Sequence, residues 1–322
     1  MTFHARLAAA GLMLAALGAG ACSPEGGRTA EGEAAGAEPI AASADVHAFR
    51  IGALQAAALR DGALALPAND PEMSPWPPAQ TAVLLTTAGV QDGTIHLSIQ
   101  PLLVRDGERT VLIDAGAGGQ MGTENRLPAS LRAAGVEPGQ VTDVLISHAH
   151  GDHIGGLTAG GALAFPNATI RMDAATWEEI RVEPRLAELT RLITPKVQTF
   201  AAGAAITPAI TVVALPGHTA GHSGFEIASG EERLLYIGDA LHSSIVSVRA
   251  PELRNAWDAD SAMAIRTRAG LLDRGVRDGL RIYGVHFPFP GVGRFKRGPD
   301  GFSWVPEGGE VAPAGPVAAA AE

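Results

Sequence analysis

Within Ser147-His148-Ala149-His150-Gly151-Asp152-His153, three imidazoles and a carboxylate fall inside six positions. In extended chain His148, His150 and Asp152 share one side by the alternation of side chains, while His153 turns to the other. Two imidazoles together, with an Asp and a third imidazole beside them, suit two adjacent divalent metals. Gly151 relieves crowding in the turn, and Gly155-Gly156 permits close chain approach beyond it. Imidazole and carboxylate ligands suit Zn²⁺, and equally Mn²⁺, Fe²⁺ or Co²⁺. No thiol competes, because the sole cysteine, Cys22, lies far upstream. A single histidine is ordinarily a surface or hydrogen-bonded core residue, but that does not explain this density of ligands.

Four apolar runs lead straight into candidate ligands. Asp143-Val-Leu-Ile-Ser147 leads into the cluster, and Thr211-Val-Val-Ala-Leu-Pro-Gly217 into His218. Leu234-Leu-Tyr-Ile-Gly238 leads into Asp239, and Arg281-Ile-Tyr-Gly-Val285 into His286. Strand ends are where an α/β sheet presents functional groups, because the sheet beneath is rigid and the loops converge. Taken singly, His218, Asp239 and His286 carry little weight; their order behind the cluster raises them.

Other segments fill in the scaffold. Leu97–Val104 and Thr110–Ile113 are apolar runs joined around Asp106-Gly107, a hairpin signal. Leu131–Ala134 reads as helix ending at Gly135, and Ala262–Leu272 as the clearest late helix. Thr176–Leu192 carries helix formers, but Pro184 must kink or divide it. Val144–Ile146, Ile210–Leu215, Phe225–Ile227, Leu234–Ile237 and Ile282–Val285 read as strands. This mixture predicts a layered α/β protein with helices covering sheets.

The chain has 322 residues, 46% of them hydrophobic, enough for a large core and too apolar for disorder. A formal charge of −10 without any basic cluster repels phosphodiester backbones, so nucleic acid is excluded as a partner. Arg6 and the apolar run Leu7–Ala21 have the form of a signal peptide (residues 1–21), too short to span a bilayer. Ala19-Gly20-Ala21-Cys22 resembles a bacterial lipobox, which implies lipidation of Cys22 and export to the periplasm or a membrane-anchored state. A lone cysteine provides no internal disulfide. Residues 22–44 read as a flexible linker and 307–322 as a disordered tail, leaving 45–306 as the folded domain.

His148-x-His150-x-Asp152-His153, followed by Pro216-Gly217-His218-Thr219, Gly238-Asp239 and the distal His286, resembles the metallo-β-lactamase superfamily from about Phe49 to Pro306. The resemblance implies a four-layer αββα sandwich with metals at one edge of the sheets. The segments His286-Phe-Pro-Phe-Pro-Gly291, Gly301-Phe-x-Trp304-Val-Pro306, Leu112-Ile-Asp114-Ala-Gly116 and Trp257-Asp258-Ala-Asp260 look like the methyl parathion hydrolase branch. That branch neighbours the N-acyl-homoserine lactonases. By the family pattern His148, His150 and His218 hold one metal, Asp152, His153 and His286 the other, and Asp239 bridges them. The activity implied is attack by a metal-bridging hydroxide on an ester, lactone or organophosphate triester, with Asp152, Asp239 and His242 as catalytic residues. Two cations acidify a shared water and polarise the bond under attack, so the chemistry suits the ligands. Homodimers occur in that branch.

His242 follows Asp239 by three residues, where many related lactonases carry a substrate-contacting tyrosine. Here Tyr236 and Tyr283 are the only tyrosines, both inside strand runs. This departure, with the Pro-Phe-Pro-Gly run, shifts the expectation toward phosphotriesters and esters over lactones. Trp177, Phe200, Phe287 and Phe289 are candidates for an apolar substrate wall, with core packing at least as reasonable for Phe200. His222 suits a supporting role, and Asp114 suits either a hydrogen bond to a ligand imidazole or a turn. His47 and His96 have no functional context, and His4 belongs to the signal. The alternative on the same scaffold is a glyoxalase II-like thioesterase or a mono-iron persulfide dioxygenase. The distal segment shows no basic cluster for glutathione's carboxylates. A metal-binding scaffold without turnover would show eroded ligands, and all seven are present.

Overall fold

The computed structural model describes residues 38–121 and 123–308. The expected signal segment, Cys22 and the tail from residue 309 lie outside the described residues. Ile40, within the stretch read as linker, is buried, and its N–H donates to Gln55 Oε1 at 2.9 Å.

Two sheets face each other. A seven-stranded sheet runs in the order Val46–Ile51, Leu54–Leu59, Leu102–Asp106, Arg109–Ile113, Asp143–Leu145, Thr169–Asp173, Val197–Phe200. A six-stranded sheet runs Ile210–Ala214, Ser223–Ser229, Glu232–Tyr236, Arg281–Tyr283, Val292–Gly298, Gly301–Pro306. Alternation along the strands assigns each side chain to a layer. Ala56, Ala58, Leu102, Val104, Val111, Ile113 and Leu145 meet Ile210, Val212, Phe225, Leu234, Tyr236 and Tyr283 between the sheets. Their neighbours Ala57, Leu59, Leu103, Leu112 and Val144 point outward to the helices Leu127–Ala133, Ala174–Val182 and Ala187–Ile193. On the far side Leu235, Ile237 and Ile282 meet Leu271 and Leu272 of the helix Ser261–Arg277. The result is the αββα sandwich. Each large apolar side chain so buried contributes about 1.5–3 kcal/mol before chain entropy is counted.

Strand direction positions the site. Arg109–Ile113 and Asp143–Leu145 are parallel, as are Glu232–Tyr236 and Arg281–Tyr283. Their carboxyl ends therefore open at one edge, where Asp114, the His148–His153 cluster, Asp239 and His286 emerge.

The expected apolar run Leu97–Val104 is two strands, split at Gln100-Pro101. Leu97 belongs to Thr94–Ile99, which pairs with Gly62–Pro67 in a separate two-stranded sheet. Leu102–Asp106 makes the expected hairpin with Arg109–Ile113. Pro101 has no N–H for a ladder and interrupts the run there. The small sheet packs on the helix Pro78–Thr87 through Leu66, Trp76, Leu85 and Ile95. Pro184 divides its helical stretch as expected, into Ala174–Val182 and Ala187–Ile193 with a short 3₁₀ turn between.

Candidate metal centre

The turn after Asp143–Leu145 brings His148 and His150 to one point and starts the short helix Gly151–Ile154 that carries Asp152 and His153. Its close packing depends on Gly155 and Gly156, where a Cβ would lie 2.2 Å from Ala117 O and 2.0 Å from Ala115 O. Any side chain there would push the two loops apart.

Two ligand sets result. His150 Nδ1 lies 3.0 Å from His148 Nε2 and 2.9 Å from His218 Nε2. Asp239 Oδ2 is 3.6 Å from His148 Nε2 and 3.4 Å from His218 Nε2. In the second set, Asp152 Oδ2 lies 3.5 Å from His153 Nε2 and 3.4 Å from His286 Nε2. Asp239 Oδ1 is 3.2 Å from the former and 3.0 Å from the latter. One carboxylate thus presents an oxygen to each set. His150 is half-buried and the other six residues are buried.

The outward ring nitrogens of His148, His153, His218 and His286 are all engaged. His148 Nδ1–H donates to Ser147 Oγ (3.0 Å), whose own O–H donates to Asp114 Oδ2 (2.7 Å). His153 Nδ1–H donates to the same Asp114 oxygen (2.7 Å), as does Tyr236 O–H (2.6 Å). His218 Nδ1–H donates to Asp258 Oδ1 (3.3 Å), and Arg268 Nη1 holds the other oxygen (2.8 Å). His286 Nδ1–H donates to Ser98 O (2.7 Å). The Nε2 atoms of His148, His153, His218 and His286 are therefore the ones turned inward, free to carry a lone pair once the ring is neutral. Several ring nitrogens converging at about 3 Å cannot all satisfy one another by hydrogen bonds. Buried His153 Nε2 and Asp239 Oδ1 have no hydrogen-bond partner at all. An inward set of nitrogen and carboxylate donors with orphaned buried atoms fits two divalent cations.

Asp114 both supports and turns the chain. Its φ of +60° is one that a side chain seldom adopts, and the bonds above hold it there. His222 supports Asp239 from behind: its Nδ1–H donates to Leu215 O and its Nε2 accepts the Asp239 N–H, both at 2.9 Å. The adjoining Gly238 has φ +49°, and a Cβ there would meet His222 Nε2 at 2.6 Å.

Electrostatics divide the centre. Burial and the neighbouring imidazoles push His148 and His218 below the ordinary histidine range, His150 to about 4 and His222 to about 3. Burial opposes charge on His153 and His286 too, but Asp239 and Asp152 outweigh it and raise both. Asp239 is held well below the carboxylate range, against burial, chiefly by His286 and His153.

The sets open into a cleft of about 290 Å³ lined above the ligands by Leu64, Leu97, Met121, Trp257 and His242. The aromatic wall expected from sequence is not there. Trp177 packs against the outer helical core and Phe287 is buried under the second sheet, edge-on to Trp304. Phe200 packs into the core between the sheets. Phe289 packs there too, with the Arg60 guanidinium over its ring. The helix Ala174–Val182 directs Trp177 into a core, the strand Val197–Phe200 does so for Phe200, and the turn after His286 for Phe287 and Phe289. The residues that do line the cleft come from the small sheet and from loops at Met121 and Trp257, and no pattern marked them as its wall. His242 is where its spacing from Asp239 placed it. In the loop before Ser261–Arg277, Asp258 was marked only by the resemblance of its segment, without its contact to His218, and Asn255 gave no signal.

A model of the metallo-β-lactamase superfamily matches residues 97–286, more than half of the chain. The chain belongs to that superfamily, and its site is that of a metal-dependent hydrolase. No curated protein sequence matches it. Among solved structures it is similar to AidC, a dizinc quorum-quenching lactonase solved with N-hexanoyl-L-homoserine product. The TM-score is 0.75 at 27% identity, covering 81% of this chain and 97% of that one. It is similar also to the hydrolase AbOPH of the β-lactamase superfamily (TM-score 0.74, 27% identity, 82% and 98% covered). A probable metal-dependent hydrolase from Staphylococcus aureus shares the fold at 19% identity (TM-score 0.66, 76% and 94% covered).

Proposed function

We propose that this protein is a binuclear metal-dependent hydrolase of neutral, apolar esters, with lactones foremost. The observation that carries this reading is the cleft. Its floor is two ligand sets joined by Asp239, and its wall is Leu64, Leu97, Met121 and Trp257, with no Lys or Arg among the described lining residues. A phosphomonoester or glutathione conjugate would find no cationic side chain there, whereas an acyl chain would bury apolar surface. Two divalent cations, zinc by analogy with the dizinc relative, would be held by His148, His150 and His218 and by Asp152, His153 and His286. When bound, they acidify coordinated water and polarise the carbonyl under attack. The chain's own part is to fix the ligand nitrogens through Ser147, Asp114, Asp258 and Ser98, and to exclude water with the apolar wall.

Product-bound AidC supports lactones. With Phe287 and Phe289 in cores, the Pro-Phe-Pro-Gly run no longer favours phosphotriesters; only His242 in place of tyrosine still points that way. Phosphotriester hydrolysis, as in the methyl parathion hydrolase branch, is therefore the second reading. Export, lipidation at Cys22 and homodimer formation complete the proposal on sequence grounds alone. The test is a panel of N-hexanoyl-homoserine lactone, an aryl ester, a phosphotriester and a β-lactam on zinc-, manganese- and cobalt-loaded protein. Lactone or aryl ester turnover is expected, with about two metals per chain. Fully loaded protein that hydrolyses none of the panel would refute the assignment, and one iron with oxygen uptake on a persulfide would replace it.

A further inference from the structure

His242 is buried beside the ligands, yet its Nε2 has no hydrogen-bond partner. The atom lies 3.1 Å from Asp239 Oδ2 without hydrogen-bonding geometry, and the ring lines the cleft. The ring is boxed by Trp257 at 5.3 Å, Trp76 at 6.2 Å, and the ligands His218 at 4.7 Å and His286 at 5.9 Å between centroids. Its other nitrogen meets one polar group: Asn255 Nδ2 is 3.2 Å from His242 Nδ1. Asn255 is itself buried, and the orientation of its amide is set independently. The Trp257 backbone N–H donates to Asn255 Oδ1 at 2.9 Å, so the amide NH₂ must be the end that faces His242. An NH₂ can only donate, which requires a lone pair on Nδ1. The proton of the ring then resides on Nε2. A doubly protonated ring would set N–H against N–H.

We infer that Asn255 is a positioning residue that holds His242 as the neutral Nε2–H tautomer, presenting that N–H into the cleft as a donor to a substrate oxygen. The substrate oxygen rests on the hydrolase reading above; the tautomer does not. A fixed donor beside the ligands stabilises negative charge that develops on a carbonyl, phosphoryl or leaving oxygen. The loop 250–258 thus serves the site through Asn255 on His242, Trp257 on the cleft wall and Asp258 on His218.

Nitrogen-15 NMR of the zinc-loaded protein tests this, with the His242 signals assigned by their loss in His242→Gln. The wild type should show a neutral ring protonated on Nε2. In Asn255→Asp the carboxylate accepts from Nδ1–H, so the ring should gain a proton on Nδ1. With N-hexanoyl-homoserine lactone, His242→Leu should lower kcat on the order of 10²-fold, while His242→Gln, which keeps an N–H, recovers part of the loss. Zinc content should stay unchanged in both. A wild-type ring protonated on Nδ1, or an Asn255→Asp ring that keeps the wild-type tautomer, overturns the inference. Equal kcat in His242→Leu and wild type overturns the donor role. An Nε2–H ring in a protein that hydrolyses no ester would instead uphold the tautomer and remove the hydrolase reading.

Discussion

His148, His150 and His218 form one half of the centre as three imidazoles pushed toward the neutral form, whereas His153 and His286 share their half with Asp152 and favour the proton. The supports differ as well. Asp258 behind His218 is itself neutralised by Arg268, while Asp114 behind His153 faces only hydroxyl groups and a backbone N–H. The carboxylate half therefore carries more negative charge toward a cation, and the imidazole half offers mostly dipoles. Asp239 is the only ligand the two halves share. Similar donor atoms at similar distances can thus build two sites of unequal character.

The largest test of this division removes its shared member. Asp239→Asn should lower ester hydrolysis by on the order of 10³-fold, about 4 kcal/mol of transition-state stabilisation, and elemental analysis should show less than two metals per chain. Unchanged turnover would mean that the halves work without a bridge. Next come the supports. Asp114→Ala should weaken the metal held by His153 by about 10–100-fold in chelator competition, and the metal held by His148 by less, because Asp114 reaches His148 only through Ser147. Asp258→Ala should loosen the opposite metal, and by less, because Arg268 already draws on its charge. If either substitution loosens both metals equally, the comparison fails.

The smaller effects lie in the pH dependence of metal-free protein. His150, falling to about 4, and His222, to about 3, take up fewer protons folded than unfolded below the ordinary value of 6.5. Their contribution is complete above 6.5 and is lost as pH falls toward those values, at about 1.4 kcal/mol per pH unit for each group. His153 and His286 are raised, so their contribution is complete below 6.5 and is lost as pH rises through their folded values. Urea unfolding of apo protein should therefore show stability declining on both sides of about 6.5. Asp152→Asn should flatten the alkaline side, where it removes a carboxylate that raises His153 and His286. It should also remove the part of the acid-side loss that Asp152 itself contributes below its ordinary value. Zinc binding at pH 7 should release up to about two protons by calorimetry in buffers of different ionisation enthalpy.

Much of this centre was legible in the chain. The density of ligands from His148 to His153 and the glycine pair at 155–156 are local statements. So are the apolar runs that end on His218, Asp239 and His286, and local patterning obeys a two-residue period that sequence displays. Pro184 dividing its helix was legible for the same reason. The substrate wall was not. Trp177, Phe287 and Phe289 are large and apolar, but burial against a core and exposure to a cleft require the same residue types. Leu97 was hidden inside a run that only Pro101 divides, and Met121 and Trp257 sit in loops without a period.

By itself, the sequence determined the metal chemistry, because ligand identity and strand-end spacing are properties of short segments. Tertiary structure alone decided the two-part character of the centre and the composition of its wall. Whether Asp239 offers one oxygen to each half depends on how distant strands pack. The same is true of whether a carboxylate behind an imidazole is neutralised by an arginine, and of which way the amide of Asn255 faces His242.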